Sequence, residues 1–386
     1  MRIKMENFLS IVVGLIPAIY FGIYISRKFS YGMYIPIINI FILCIVKDFF
    51  KNYPRMYAYF IGFAIVAFLG CTCLSGGLSL YGFLYIILLI VFFIILPILG
   101  NILSSNKKRN LLIMAISGAF FLIPNILKEI GNISENQVKS ALGITEGFVR
   151  YRIKYGFPHA NTAGFSIVSE IIILYVLSLQ IENKKIKGLV FFIAAFLFYS
   201  LLGTGSRTAI LCCSFFFLVD IVQRIVNKFH RLSFFLYPFL CIMLLYIVFT
   251  MNVSSDDVIA NSSGRFDSMV IIINALKESN KLFFGVGEAG ISSGYIESVL
   301  QEHVYIDNWY LHILASLGII GSSILLIGIV LLIFYIFKNT EIENRSIQIS
   351  LILCIFLYGI TENVVFVPGV SLSVIVWTII FSMVSK

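Results

Sequence analysis

The chain has 386 residues, of which 60% are hydrophobic and only 12% charged, and it carries a net charge of +9. Soluble domains carry about a quarter charged residues, so with a mean hydropathy of +0.99 a water-soluble fold is excluded. The excess of cations has to be explained at a membrane surface, and no nucleic-acid partner is expected.

Apolar runs near the length that spans a bilayer, about 20 residues as helix, recur from end to end. Inside hydrocarbon every backbone N–H and C=O must be paired, which leaves helices or closed barrels. The runs are too continuous for barrel strands, whose sides alternate. The expected fold is therefore an all-α polytopic membrane protein forming one integral membrane unit over residues 1–386. About twelve transmembrane helices are expected, at 8–25, 31–46, 56–74, 80–103, 111–127, 161–181, 188–203, 208–222, 232–250, 308–337, 347–364 and 368–384. The first follows Arg2 and Lys4 with no small-x-small cleavage site, so it reads as an uncleaved helix. The second is short, and the tenth is long enough to tilt or project from the bilayer.

Lysine and arginine set the orientation. With the N-terminus cytoplasmic, most of the 28 cations fall in short cytoplasmic segments, among them Lys47, Lys107, Lys184, Arg224 and Lys338. The C-terminus then returns to the cytoplasm, and two long polar segments, 128–160 and 251–307, face outward. Arg27 and Lys28 run against this pattern. The larger outer loop lies between helices 9 and 10 and is expected to be partly helical. In it Phe266, Met269, Val270, Ile273 and Leu276 follow helical spacing, giving an amphipathic helix at about 264–281. The odd set of seven cysteines lies in or beside apolar runs with no metal-ligand spacing, and reads as packing.

Candidate site residues gather at the outer ends of these helices. Gly203-Thr204-Gly205-Ser206-Arg207 joins two spans. Its helix N-terminus, backbone donors and arginine together suit an anion, and Thr204 or Ser206 would cap the helix. Arg265 opens the amphipathic helix, either to hold an anion or to snorkel at the interface. His159 and Asn161 enter the sixth span, either to hydrogen-bond a sugar or diphosphate or to cap that helix. His303, Asp307 and His312 put three possible proton acceptors near the start of the tenth helix, where Asp307 would also serve as an N-cap. Asn308 follows it. Trp309 and Tyr310 suit either sugar stacking or an interfacial belt. Glu170 is expected deep in the membrane and Glu362 near the outer end of the eleventh helix, where an ionisable group usually has a partner or a cavity. Glu362 is expected either to pair with Arg207 or Arg265 or to act on the acceptor. There is no P-loop, Rossmann glycine fingerprint or zinc spacing, and no metal or cofactor is expected.

In this order, Pro158-His159-Ala160-Asn161, Gly205-Ser206-Arg207, Gly264-Arg265, Gly285-Val286-Gly287, Asp307-Asn308-Trp309-Tyr310-Leu311, Leu317-Gly318-Ile319-Ile320-Gly321 and Glu362 resemble the O-antigen ligase and polysaccharide polymerase superfamily of bacterial membrane proteins, over about residues 155–365. The resemblance implies metal-independent, inverting glycosyl transfer at the outer face of the cytoplasmic membrane, from a glycan on undecaprenyl diphosphate. It implies that Arg207 and Arg265 bind the diphosphate. Asp307, His303 and Glu362 are then the catalytic candidates, with His159, Asn161, Ser206, Asn308, Trp309 and Tyr310 as further substrate contacts. Ligases of the superfamily commonly have His-Asn where this chain has Asp307-Asn308, so a polymerase of capsule or exopolysaccharide is expected ahead of a ligase or a lipid-linked oligosaccharide flippase. The implied partners are the undecaprenyl-diphosphate-linked oligosaccharide, membrane lipid, and a chain-length regulator and flippase of the same pathway.

Overall fold

The computed structural model describes residues 2–26, 55–76, 79–135, 138–139, 152–228, 265–287, 306 and 308–384. The expected second and ninth spans, at 31–46 and 232–250, lie outside the described residues, as do residues 136–137 and 140–151 of the 128–160 segment. What is described is helical, with no named strand among the described residues. The helices are α1 (Arg2–Gly14), α2 (Ile16–Ser26), α3 (Arg55–Ile65), α4 (Cys71–Ser75), α5 (Leu80–Ser105), α6 (Lys107–Glu129), α7 (Ala160–Ser178), α8 (Lys184–Gly203), α9 (Arg207–Lys228), α10 (Arg265–Glu278), α11 (Trp309–Lys338), α12 (Ile342–Gly359) and α13 (Ser371–Phe381). Within the described residues, eight segments are long and apolar enough to cross a membrane. The chain is a multi-pass membrane protein.

The bundle is built around α7, the most buried of the eight candidate spans. It packs against α6, α8, α9 and α13. The helix α13 is buried along its whole length. Its 11 residues reach only about 16 Å, too short for a bilayer about 30 Å thick. The expected eleventh and twelfth spans are thus helices, α12 and α13, but neither is among the eight. The non-helical stretch between them, 360–370, is largely buried. Exposed carbonyls at that depth would be costly, and irregular backbone is tolerated there only when protein groups satisfy it. Side chains do so here. Tyr20 donates to the Pro368 carbonyl at 2.6 Å and Tyr24 to the Gly369 carbonyl at 2.6 Å, while the Val365 carbonyl accepts from Trp377 Nε1 at 2.7 Å and Ser373 Oγ at 3.1 Å. Phe366 stacks on Trp377 with ring centroids 4.6 Å apart.

The expected long tenth helix, α11, is broken inside the bundle. Gly318 has φ 65 and ψ −172, so the helical bonds from Ile319 to Ala315 and from Ile320 to Ser316 are missing. The segment after α10 supplies all four groups with new partners. Val286 N–H donates to the Ala315 carbonyl at 2.9 Å and Gly287 N–H to the Ser316 carbonyl at 2.9 Å. Ile319 N–H donates to the Leu282 carbonyl at 2.9 Å and Ile320 N–H to the Phe283 carbonyl at 3.1 Å. Lys281 Nζ closes the end of α4 by donating to the Ser75 carbonyl at 2.5 Å. A helix, α10, covers 265–278 of the expected 264–281 range, but of the face expected from spacing Met269 and Val270 are exposed, and Ile272 is buried in their place. Its Ile272 and Leu276 pack with Leu311 and Ala315 of α11.

This pairing requires glycine at two places. A Cβ on Gly318 would lie 2.4 Å from the Phe283 carbonyl, and one on Gly285 (φ +69) would lie 2.3 Å from the Ser316 carbonyl oxygen. Both positions are left-handed, which costs a residue with a side chain about 1–2 kcal/mol before any clash. Gly318→Ala and Gly285→Ala should each lower the thermal midpoint of the detergent-purified protein by several degrees. Gly62→Ala, where a Cβ meets nothing within 4 Å, should leave it unchanged or raised. Equal midpoints for all three variants would mean that the pairing does not hold the fold.

Candidate functional site

Four chain segments meet at one end of the bundle. The first is the turn joining α8 to α9. Gly205 takes φ +59, and Thr204 Oγ1 accepts from Ser206 N–H at 3.1 Å while donating to the Leu201 carbonyl at 2.7 Å. The Ser206 carbonyl accepts from Ile210 N–H at 3.1 Å, so Ser206 is the residue from which α9 starts and Arg207 is its first helical residue. Thr204 and Ser206 are buried and Arg207 is half-buried. The guanidinium is thus attached where the positive end of the helix dipole lies.

The second segment is the start of α7. His159 occupies the N-cap position with no side-chain cap bond, and its ring is exposed. Asn161, the second residue of α7, is bonded at both ends of its amide. Its Oδ1 accepts from Arg152 Nη2, and its Nδ2 donates to Glu362 Oε1 at 2.5 Å. The third segment is the turn after α12 that carries Glu362. The sequence placed Glu362 on the helix, but α12 ends at Gly359, and Glu362 N–H bonds back to the Tyr358 carbonyl at 3.0 Å. Tyr358 is buried beside Ser206, which, with its carbonyl bonded to Glu362 N–H, ties this turn to the start of α9. Glu362 thus meets Asn161 and through it Arg152.

The fourth segment, 152–157, precedes α7. Ile153, Tyr155 and Phe157 are buried, alternating with more exposed neighbours. Ile153 N–H donates to the Gly203 carbonyl at 3.1 Å, and Arg152 Nε reaches the Thr204 carbonyl at 3.4 Å. Tyr155 donates its hydroxyl to the Ser200 carbonyl at 2.8 Å. Burial, with Glu129 and Tyr199 adding, pushes its phenol well above the ordinary range, so it remains a donor. Arg152 is the residue that sequence reasoning missed. The signal was the alternation at 153, 155 and 157, which marks a segment buried on one side and so fixes the arginine beside it.

The start of α11 lies at the same end. Tyr310 donates its hydroxyl to the Phe356 carbonyl at 3.0 Å. Trp309, 6% exposed, packs against Phe356 and Phe366, while Tyr310 is 43% exposed and is the more accessible ring. The N-cap of α11 is Asn308, whose Oδ1 accepts from Tyr310 N–H at 2.8 Å and Leu311 N–H at 3.1 Å. This corrects the expectation that Asp307 caps the helix, and it commits one end of the Asn308 amide to the backbone. Asp307 and His303 lie outside the described residues. His312 is buried and lines a narrow pocket with Tyr85 and Asn363. Arg265 is placed as the first residue of α10, which packs on the half of α11 nearest this end. Elsewhere, Glu170 is fully buried with its carboxyl against Gly118. Among the described residues no three His, Cys, Asp or Glu side chains come together as a metal site would require.

Residues 191–326 match the family model described as O-Antigen ligase. The match supports the O-antigen ligase and polysaccharide polymerase superfamily. Comparison with curated proteins and with solved structures returned no match. The O-antigen ligase match covers about a third of the chain. It takes in the turn before Arg207, α9, α10, the segment that pairs with the broken helix, and the first half of α11. Arg152, Asn161 and Glu362 lie outside it, so the site joins matched and unmatched parts. The match points to glycan transfer of the O-antigen ligase or polymerase type.

The two-ended bonding of Asn161 makes a sharp prediction. Asn161→Asp keeps the shape and the contact with Arg152 but removes the donor to Glu362 and sets two carboxylates together, which repel. It should lower the thermal midpoint more than Asn161→Ala does. The reverse order, measured on purified protein, would show that Asn161 does not bridge the two charges.

Proposed function

We propose that the protein is a polysaccharide polymerase. It passes a growing glycan from undecaprenyl diphosphate to the next lipid-linked repeat unit at the outer face of a bacterial cytoplasmic membrane, with both termini in the cytoplasm. The observation that carries this reading is the convergence at one bundle end of Arg207, on a helix N-terminus, with Asn161 and Glu362. A cationic helix start suits a diphosphate, and a fixed carboxylate suits a sugar hydroxyl.

In the transfer, an acceptor hydroxyl attacks the anomeric carbon as its bond to the diphosphate oxygen breaks, and the configuration inverts. The hydroxyl proton passes to a carboxylate or imidazole, with Glu362, Asp307 and His303 as candidates. Negative charge grows on the leaving diphosphate, so cations placed there stabilise the transition state more than the ground state. Arg207 and Arg265 take that role, which leaves the mechanism with no need of a metal ion. Ser206 and the exposed His159 and Tyr310 would contact the substrate near that centre, with Asn308 and the buried Trp309 shaping the start of α11. Asp307-Asn308 in place of the His-Asn of ligases favours polymerase over ligase. A chain-length regulator and a flippase would act beside it.

Purified protein incubated with a lipid-diphosphate repeat unit should yield a ladder of products. A single transferred product would make it a ligase, and movement between leaflets without chemistry a transporter. Arg207→Ala and Arg265→Ala should each abolish long chains while the protein stays in the membrane, and Arg→Lys should recover little, because an ammonium cannot reproduce bidentate binding. Normal chain lengths in both Ala variants would remove the mechanism.

A further inference from the structure

We propose that Arg152 is a positioning residue for Glu362, acting through the side-chain amide of Asn161. The inference rests on the reading of Glu362 as a working carboxylate of the transfer. An asparagine amide has a donor end and an acceptor end, while guanidinium only donates and an ionised carboxylate only accepts. Asn161 sits between one of each, with Arg152 Nη2 on its oxygen and Glu362 Oε1 on its nitrogen. Only one orientation of the amide satisfies both neighbours. Turning it over would set its oxygen against the carboxylate and its N–H₂ against the cation. Arg152 therefore fixes which way Asn161 faces, and Asn161 fixes Glu362 Oε1.

The same guanidinium is fastened on its other side to the turn before Arg207. Its Nε reaches the Thr204 carbonyl, and the next residue, Ile153, donates to the Gly203 carbonyl. One side chain thus ties the carboxylate to the turn that leads into the anion-binding helix start. Inverting transfer needs the incoming hydroxyl and the departing diphosphate on opposite sides of one carbon. Such constellations must be held to roughly half an ångström. Arg152 links the two halves across segments remote in sequence, because Asn161 and Glu362 are 201 residues apart.

The test measures steady-state transfer by the full-length protein in lipid nanodiscs with the lipid-diphosphate repeat unit. Arg152→Met should lower kcat by about tenfold to a hundredfold, the scale of one lost charge-assisted hydrogen bond, with little change in donor KM. Asn161→Ala should do the same, and the double variant should be no worse than either single one. Arg152→Lys should recover part of the rate, and it carries the test if Arg152→Met does not fold. A rise in donor KM at unchanged kcat would overturn the inference by making Arg152 a direct diphosphate contact, and additive losses in the double variant would overturn it too. Full activity of Glu362→Gln would instead remove the reading of Glu362 on which the proposal stands, a result distinct from either of these.

Discussion

Backbone satisfaction inside the membrane is the constraint on which the rest of this structure depends. Two stretches leave helical geometry within the bundle, and each would be costly in hydrocarbon with its polar groups unmet. At Gly318 the four groups released by the broken helix are met by backbone of 282–287. At 360–370 the carbonyls of Val365, Pro368 and Gly369 are met by side chains of α2 and α13. The two solutions differ in kind. The first is a reciprocal backbone exchange that needs glycine for close approach, and the second uses tyrosine and tryptophan as long-reach donors.

These irregular stretches are also what build the candidate site. Because α12 stops at Gly359 and the chain turns inward, Glu362 is delivered on a bend beside α7 and α9 instead of on a helix face. Because 282–287 is bonded into α11, α10 is held against the first half of that helix, and so Arg265 begins an element braced at the same end as Trp309. The site is then closed by small polar links, namely Arg152 to Asn161, Asn161 to Glu362, and Ile153 to the Gly203 carbonyl. A charged group at a membrane rim keeps its geometry only when such links replace the water it loses.

The glycine motifs singled out in the sequence, Gly285-Val286-Gly287 and Leu317-Gly318-Ile319-Ile320-Gly321, turn out to be two halves of one contact. In the sequence the two stand as separate motifs, and the second falls inside the expected span 308–337. Neither half reveals its partner, since the pairing runs through main-chain groups that every residue carries. Their bonds hold the shape of the bundle, at whose end the candidate site residues gather.

The sequence by itself determined that this chain is helical and crosses a membrane many times, because uninterrupted apolar runs admit no other way to pair the backbone. It also marked Arg207 as a cation at a helix start and a helix near 264–281, since capping residues and helical periodicity are local signals. Tertiary structure decided what those residues face. That Asn308 and not Asp307 caps α11, that Glu362 meets Asn161, and that Arg152 completes the cluster all follow from contacts between segments far apart in the chain. Local pattern carries no information about such contacts, because they depend on where packing and backbone pairing bring the ends of different helices.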